Sequence, residues 1–207
     1  YVSQTGKPMI ISTGMANAEE IQEAVEAAKE GGCNELAILH CVSSYPAPAE
    51  EYNLKTVLDM QQKFGLVTGL SDHTIDNTIA IASIGLGASI IEKHVTLDRN
   101  ANGPDDSFSL ELNELKNLCQ SSKLAWQSLG KVDYEIKPSE QGNIKFRRSL
   151  YFVKNINKGE IITSEHIKSI RPGYGMPPKE INNIIGKQIL VNVTRGSAVK
   201  SCNINWS

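Results

Sequence analysis

The chain has 207 residues, 40% hydrophobic and 21% charged, with a net charge of −2 from 21 basic and 23 acidic residues. This composition fits a globular protein large enough to bury a core without staples. It argues against nucleic acid as an electrostatic partner, and no apolar run approaches the roughly 18 residues of a membrane span. The first elements alternate strand and helix. Met9 to Ser12 is a short apolar strand ending at the turn signal Thr13-Gly14. Asn17 is placed as the N-cap of a helix to Lys29, with Ile21, Ala24, Val25 and Ala28 on one face. Gly31-Gly32 ends it, and Leu36 to His40 is the second strand. Leu54 to Phe64 is the second helix, Val67 to Leu70 the third strand and Ile75 to Ile84 the third helix. Ser89 to Val95 is the fourth strand, followed by a Gly/Asp-rich loop and a helix from Glu111 to about Leu129.

Four βα units in about 120 residues make a parallel sheet. A (β/α)8 barrel of typical size needs about 250 residues, so four units are half of one. The other architecture open at this point is a small doubly wound sheet, but its usual GxGxxG turn after the first strand is absent. Gly85-Leu86-Gly87 lies between a helix and a strand and reads as a turn. Residues 131–145 read as a polar linker with Pro138 and Gly142. Residues 146–207 read as a small, mostly β domain, with strands at Ser149–Lys154, Glu160–Thr163, Ile167–Ile170 and Gln188–Val191. The expected divisions are therefore 1–130, 131–145 and 146–207. The four cysteines, Cys33, Cys41, Cys119 and Cys202, form no CxxC pair. That usage suits a reducing cytoplasm, the expected location. The chain opens on Tyr1 and runs directly into a strand, so further N-terminal residues are expected.

Polar residues cluster where each strand ends: Ser12-Thr13-Gly14, His40 to Pro46, Ser71-Asp72-His73 and Glu92-Lys93-His94. In parallel α/β sheets the carboxyl ends of the strands face the site. If their strands are neighbours, His73 and His94 can converge on one divalent ion. Two histidines merely hydrogen-bonded at strand ends are the other reading, and two ligands do not identify a metal. Lys7, Ser12, Thr13, Ser43, Ser71 and Lys93 supply cations and hydroxyls for a phosphate or carboxylate, or else form a solvated rim. Asp105 lies in Gly103-Pro104-Asp105-Asp106, where a turn-forming role is the bland alternative. A satisfied core residue is an equal reading of His40. His166 is assigned no role. The sequons Asn192-Val193-Thr194 and Asn205-Trp206-Ser207 read as chance matches.

Taken together these stretches resemble the sialic acid synthase family, which condenses phosphoenolpyruvate with an amino sugar. The resemblance rests on Ile11-Ser12-Thr13-Gly14-Met15, His40-Cys41-Val42-Ser43-Ser44-Tyr45-Pro46, Gly69-Leu70-Ser71-Asp72-His73-Thr74 and Glu92-Lys93-His94. Arg171-Pro172-Gly173 is similar to the family's C-terminal antifreeze-like (SAF) domain. Residues 43–54, 146–154 and 171–179 are most similar to its pseudaminic acid synthase branch. The neuraminate and legionaminate branches are less alike there.

The resemblance implies the C-terminal half of a TIM (β/α)8 barrel followed by the SAF domain. It implies His73 and His94 as ligands of a divalent metal, Mn²⁺ first, with Mg²⁺ or Co²⁺ possible. It places Lys7, Ser12 or Thr13, Ser43 and Ser71 on the phosphate, with Tyr45 beside them and Lys93 among the substrate-binding residues. Asp105 matches a sugar-contacting aspartate. Arg171 would reach the partner's active site in a domain-swapped homodimer. Two other readings stay open: a half-barrel that only binds or dimerises, and an unrelated divalent-metal aldolase or hydrolase.

Overall fold

The computed structural model describes residues 1–206, in two compact units, Tyr1–Val132 and Asp133 onward. The first unit carries four parallel strands, β1 (Met9–Ser12), β2 (Leu36–Cys41), β3 (Val67–Asp72) and β4 (Ile90–Lys93), in the spatial order β1-β2-β3-β4. The helices are α1 (Ala18–Glu30), α2 (Lys55–Phe64), α3 (Thr78–Ile84) and α4 (Leu112–Leu129). Sequential order in space excludes the doubly wound alternative, whose strand order reverses at a switch point. The architecture is half of a (β/α)8 barrel.

The sequence sets these elements locally. Asn17 caps α1 by accepting from the amides of Glu19 and Glu20 at 2.9 and 3.0 Å, while Glu20 accepts from the Asn17 amide at 2.8 Å. This capping box satisfies donors that the first helical turn leaves unpaired. Gly65 closes α2 at φ 64°, a left-handed conformation that glycine adopts without penalty. Gly69 is dictated by proximity: a Cβ there would lie 2.4 Å from the Ile90 carbonyl oxygen.

Expected boundaries shift: β2 runs on to Cys41 and β3 to Asp72, past His40 and Leu70, and two further shifts have a local cause. The fourth strand stops at Lys93, because Leu110 then takes over the pairing: its amide donates to His94 O and its carbonyl accepts from Thr96 N, both at 2.9 Å. The third helix starts at Thr78 instead of Ile75, because the Asp76 carboxylate accepts from the Thr78 amide at 2.6 Å.

Alternation divides the sheet into two faces. Met9, Ile11, Leu36 and Ile38 pack with Val25, Ala28 and Met60 of the helices. Leu70 packs with Tyr52, Val57 and Ala88, and Ile91 with Ala80, Leu110 and Leu118. Residues an odd number of positions away along the same strands, Ser12, Cys41, Ser71 and Glu92, fall on the other face.

In the second unit β5 (Ser149–Phe152) pairs antiparallel with β6 (Ile167–Ile170). The expected strands Glu160–Thr163 and Gln188–Val191 are reduced to single bridges, Ile161 to Gln188 and Ile189 to Ile204. The Ile161–Gln188 pairing is cut short by turns at Gly159 (φ 91°) and Gly186 (φ 90°), and Ile204 directly follows the 3₁₀ segment Ser201–Asn203. The 131–145 stretch is partly ordered, since a 3₁₀ segment spans Pro138–Phe146. A single core gathers Leu150, Phe152, Ile156, Ile162, Ile184, Ile189 and their neighbours. No described helix is long and apolar enough to cross a membrane.

Candidate active site

The register places Ser71 opposite Glu92 and Asp72 opposite Lys93. The next residue on each strand is a histidine. His73 and His94 consequently face one another, with ring centroids 5.3 Å apart at 69°. Tyr45 lies 4.3 Å from the His73 ring and 5.7 Å from His94. Phe108, which the sequence reading passed over, sits 5.1 Å from His94 and is buried. Tyr45 and Phe108 supply the apolar wall around the two imidazoles.

Each imidazole has an orienting partner. His73 Nδ1 is 2.8 Å from the Val42 carbonyl oxygen. That oxygen can only accept, so the proton is on Nδ1 and the Nε2 lone pair is left for a ligand. A carbonyl partner of this kind fixes the tautomer of a metal-binding histidine. His94 Nδ1 lies 3.6 Å from Asp105 Oδ2. The neighbouring Asp106 takes the turn-forming role, accepting from Thr96 Oγ1 and the Gly103 amide at 2.6 Å each. Asp105 is thereby left exposed toward His94.

The remaining expected residues divide. Ser71 is buried and donates to Glu92 Oε1 at 2.7 Å, with His73 Nε2 3.5 Å away. Glu92 belongs to the strand-end cluster without an assigned role; its place two residues before His94, and so on the same face, is the available signal. Thr13 donates its hydroxyl to the Leu39 carbonyl at 2.9 Å, so Ser12 is the exposed hydroxyl at the end of β1. Ser43 is exposed beside Gly14, where a Cβ would fall 2.1 Å from its Oγ. The glycine is what lets the β1 turn approach Ser43.

Two expectations are corrected. Lys7 precedes β1, at the opposite end of the sheet from the histidines, because parallel strands present their starts on one rim and their ends on the other. Lys93 is not free to hold a substrate. Its side chain is 3% exposed, and its ammonium donates to Asp72 Oδ2 at 2.8 Å, Thr74 O at 2.6 Å and Asp76 O at 2.8 Å. His40 proves a satisfied packing residue, bonded to the Tyr52 carbonyl and edge-on to the Tyr52 ring.

Burial pushes the Tyr52 hydroxyl well above the usual phenol range. Asp76 is held below the usual carboxylate range, first by the Thr78 amide. Among the described residues, no group of three or more His, Cys, Asp or Glu side chains assembles that could by itself hold a metal ion. An apolar groove lined by Ile84, Ile91, Leu118 and Trp126 opens on the helix side of β4, away from His94.

Arg171 belongs to the second unit. It is exposed after β6, and its turn is anchored by Ser149 Oγ, which donates to Pro172 O at 2.7 Å and accepts from the Gly175 amide at 2.9 Å. Gly173 passes so close that a Cβ would meet the Ile144 carbonyl at 2.9 Å.

Residues 1–134 match the NeuB family, and residues 147–201 match the SAF domain. The chain belongs to the NeuB family. It is 36% identical to the pseudaminic acid synthase of Campylobacter jejuni over 199 residues, which is 96% of this chain and 58% of that protein. It is 40% identical to the N,N'-diacetyllegionaminic acid synthase of the same species over 189 residues, 90% of this chain and 57% of that one. Among solved structures, the spore coat polysaccharide biosynthesis protein spsE of Bacillus subtilis is similar at 30% identity and a TM-score of 0.60. That likeness covers 100% of this chain and 63% of that one. The chain thus spans somewhat more than half the length of these curated relatives. The two Campylobacter relatives are by name synthases of nonulosonic acids.

Proposed function

We propose that the protein is a pseudaminic acid synthase. It would join phosphoenolpyruvate and water to 2,4-diacetamido-2,4,6-trideoxy-altropyranose, giving pseudaminic acid and phosphate. The observation that carries this reading is the facing pair His73 and His94, with Nδ1 of His73 held by the Val42 carbonyl. That donor set fits a divalent ion; we propose Mn²⁺ first, with Mg²⁺ and Co²⁺ as the alternatives, since two imidazoles by themselves do not rank these ions. His73 and His94 would hold it. When bound, such an ion acts as a Lewis acid on the aldehyde oxygen of the open-chain sugar.

The chain's own residues supply the rest. Ser12, Ser43 and Ser71 offer hydroxyls to the phosphate of phosphoenolpyruvate. Glu92 orients Ser71 through their 2.7 Å bond. Tyr45 and Phe108 keep water from the imidazole faces. Asp105 accepts a sugar hydroxyl next to His94. The bond formed runs from C3 of phosphoenolpyruvate to the aldehyde carbon; water adds at C2 and phosphate leaves with C–O cleavage. We also propose a homodimer in which Arg171 of one protomer serves the partner's site, its guanidinium donating to an N-acyl carbonyl.

A phosphate-release assay on the full chain tests this reading. Turnover with the altro sugar should fall to background in His73→Ala and His94→Ala. Turnover that persists in chelator overturns the metal assignment. Arg171→Ala should raise the sugar KM and leave that of phosphoenolpyruvate nearly unchanged. The 40% identity to a legionaminic acid synthase favours a second reading, the same reaction on the legionaminate precursor. A panel of amino sugars in the same assay separates the two by kcat/KM.

A further inference from the structure

One lysine touches the chain on both sides of the histidine pair. Lys93 immediately precedes His94. Through space its ammonium binds Asp72, which immediately precedes His73, and the carbonyls of Thr74 and Asp76, which follow it. All three ammonium protons are thereby used. Asp72 is fully buried, and its Oδ1 accepts from the amide and hydroxyl of Thr74 at 2.9 and 2.8 Å. The buried Tyr52 hydroxyl is hydrogen-bonded to Asp72 and accepts from the His73 amide at 2.6 Å. His73 is therefore tied at its own amide, at the residue before it and at the residue after it. Every tie leads back to Asp72 and Lys93.

Strand alternation explains why this network and the histidines do not compete. Asp72 and Lys93 are register partners on the helix side of the sheet. His73 and His94, one residue on, emerge on the other side. The buried ion pair fixes the two chains at the point where the histidines leave them. A charge pair out of water is a weak source of net stability, since desolvation offsets the attraction. Specifying one relative placement of two strand ends is a use that does not require net stability.

We propose that Lys93 and Asp72, supported by Tyr52, are positioning residues that set the spacing and orientation of His73 and His94 for a divalent cation. This deepens, and rests on, the metal reading of the two histidines. It gives Lys93 a role that involves no contact with substrate.

The test measures Mn²⁺ binding to the full chain by the electron spin resonance signal of the free ion, independently of turnover. Lys93→Met should lower Mn²⁺ affinity by about 10–100-fold, the range seen when a partner of a metal ligand is removed. Metal-free phosphoenolpyruvate binding should be unchanged. Lys93→Arg should recover part of the loss. The double variant Asp72→Asn with Lys93→Met leaves no unpaired buried charge, and it serves if the single variant does not fold. Unchanged Mn²⁺ affinity in a folded variant overturns the proposal. So does lost phosphoenolpyruvate affinity with Mn²⁺ binding intact, which would make Lys93 a substrate ligand. If His73→Ala and His94→Ala bind Mn²⁺ like the parent, the metal reading itself falls. The clamp is then judged by the imidazole nitrogen NMR signals of His73. A single Nδ1–H tautomer in the parent and a mixture in Lys93→Met support it; identical spectra overturn it.

Discussion

The two units bury their interiors with different chemistry. The second unit has one continuous core, built from Leu150, Phe152, five isoleucines between Ile156 and Ile189, and their neighbours Val193, Val199 and Ile204. The first unit divides its apolar residues among three smaller clusters on the helix side of the sheet. Beside them it buries Asp72, Ser71 and His73 together with the Lys93 side chain. Apolar packing is indifferent to protonation, whereas a buried polar network depends on which protons are present. The difference teaches that stability and site geometry are carried by separate kinds of interaction, and pH should tell them apart.

The largest expected effect lies in the second unit. Phe152 is fully buried. Phe152→Ala should destabilise that unit by about 3–5 kcal/mol, the cost of a large-to-small change in a core. Denaturant unfolding followed by hydrogen exchange should show the loss equal at about pH 5 and about pH 8, the ends of the range in which folds are commonly most stable. A pH-dependent loss would break the contrast.

Tyr52→Phe should cost less, about 1–3 kcal/mol at neutral pH, because the buried His73 amide and Asp72 lose a partner. The sign with pH follows from the raised phenol. The folded chain holds this proton more tightly than the unfolded chain. The stabilisation is therefore complete below the ordinary phenol range and declines as pH rises through and beyond it. The difference between Tyr52→Phe and the parent should accordingly narrow in alkaline denaturation. A constant difference would sever Tyr52 ionisation from folding.

The smallest effect concerns Asp76, whose carboxylate receives the Thr78 amide at the start of α3. Asp76→Ala should cost about 0.5–1 kcal/mol, a lost helix cap. Here the folded group is more acidic than the unfolded one, so its contribution is present above the ordinary carboxylate range and disappears as pH falls through it. Parent and variant should converge in acid urea melts; a gap that persists at low pH would assign the cost to packing.

Much of this was legible in the sequence, and the failures are instructive. The four βα units, the Asn17 cap and the meeting of His73 with His94 follow from period, cap chemistry and strand adjacency. Lys93 was misread because nearness in sequence to His94 was taken as nearness in space. Period-two alternation places residue 93 on the face opposite residues 92 and 94, and the same rule points to Glu92. Lys7 was misread because it stands next to a strand whose other end holds the site. The partners that orient the site, such as the Val42 carbonyl on His73, are backbone groups and leave no mark in residue identity. The Ile161–Gln188 bridge failed as a strand pair because the positive-φ residues Gly159 and Gly186 flank it.

The neighbouring acids Asp105 and Asp106 divide their work. Asp106 holds the path of the 96–106 loop through Thr96 and Gly103, while the Asp105 carboxylate takes no part in those bonds. Loop scaffold and exposed carboxylate are separately encoded in adjacent codons. Position 105 is thus a place where selection can retune what the loop offers a ligand without rebuilding the loop, and position 106 is where the same single-base change would cost the loop its shape.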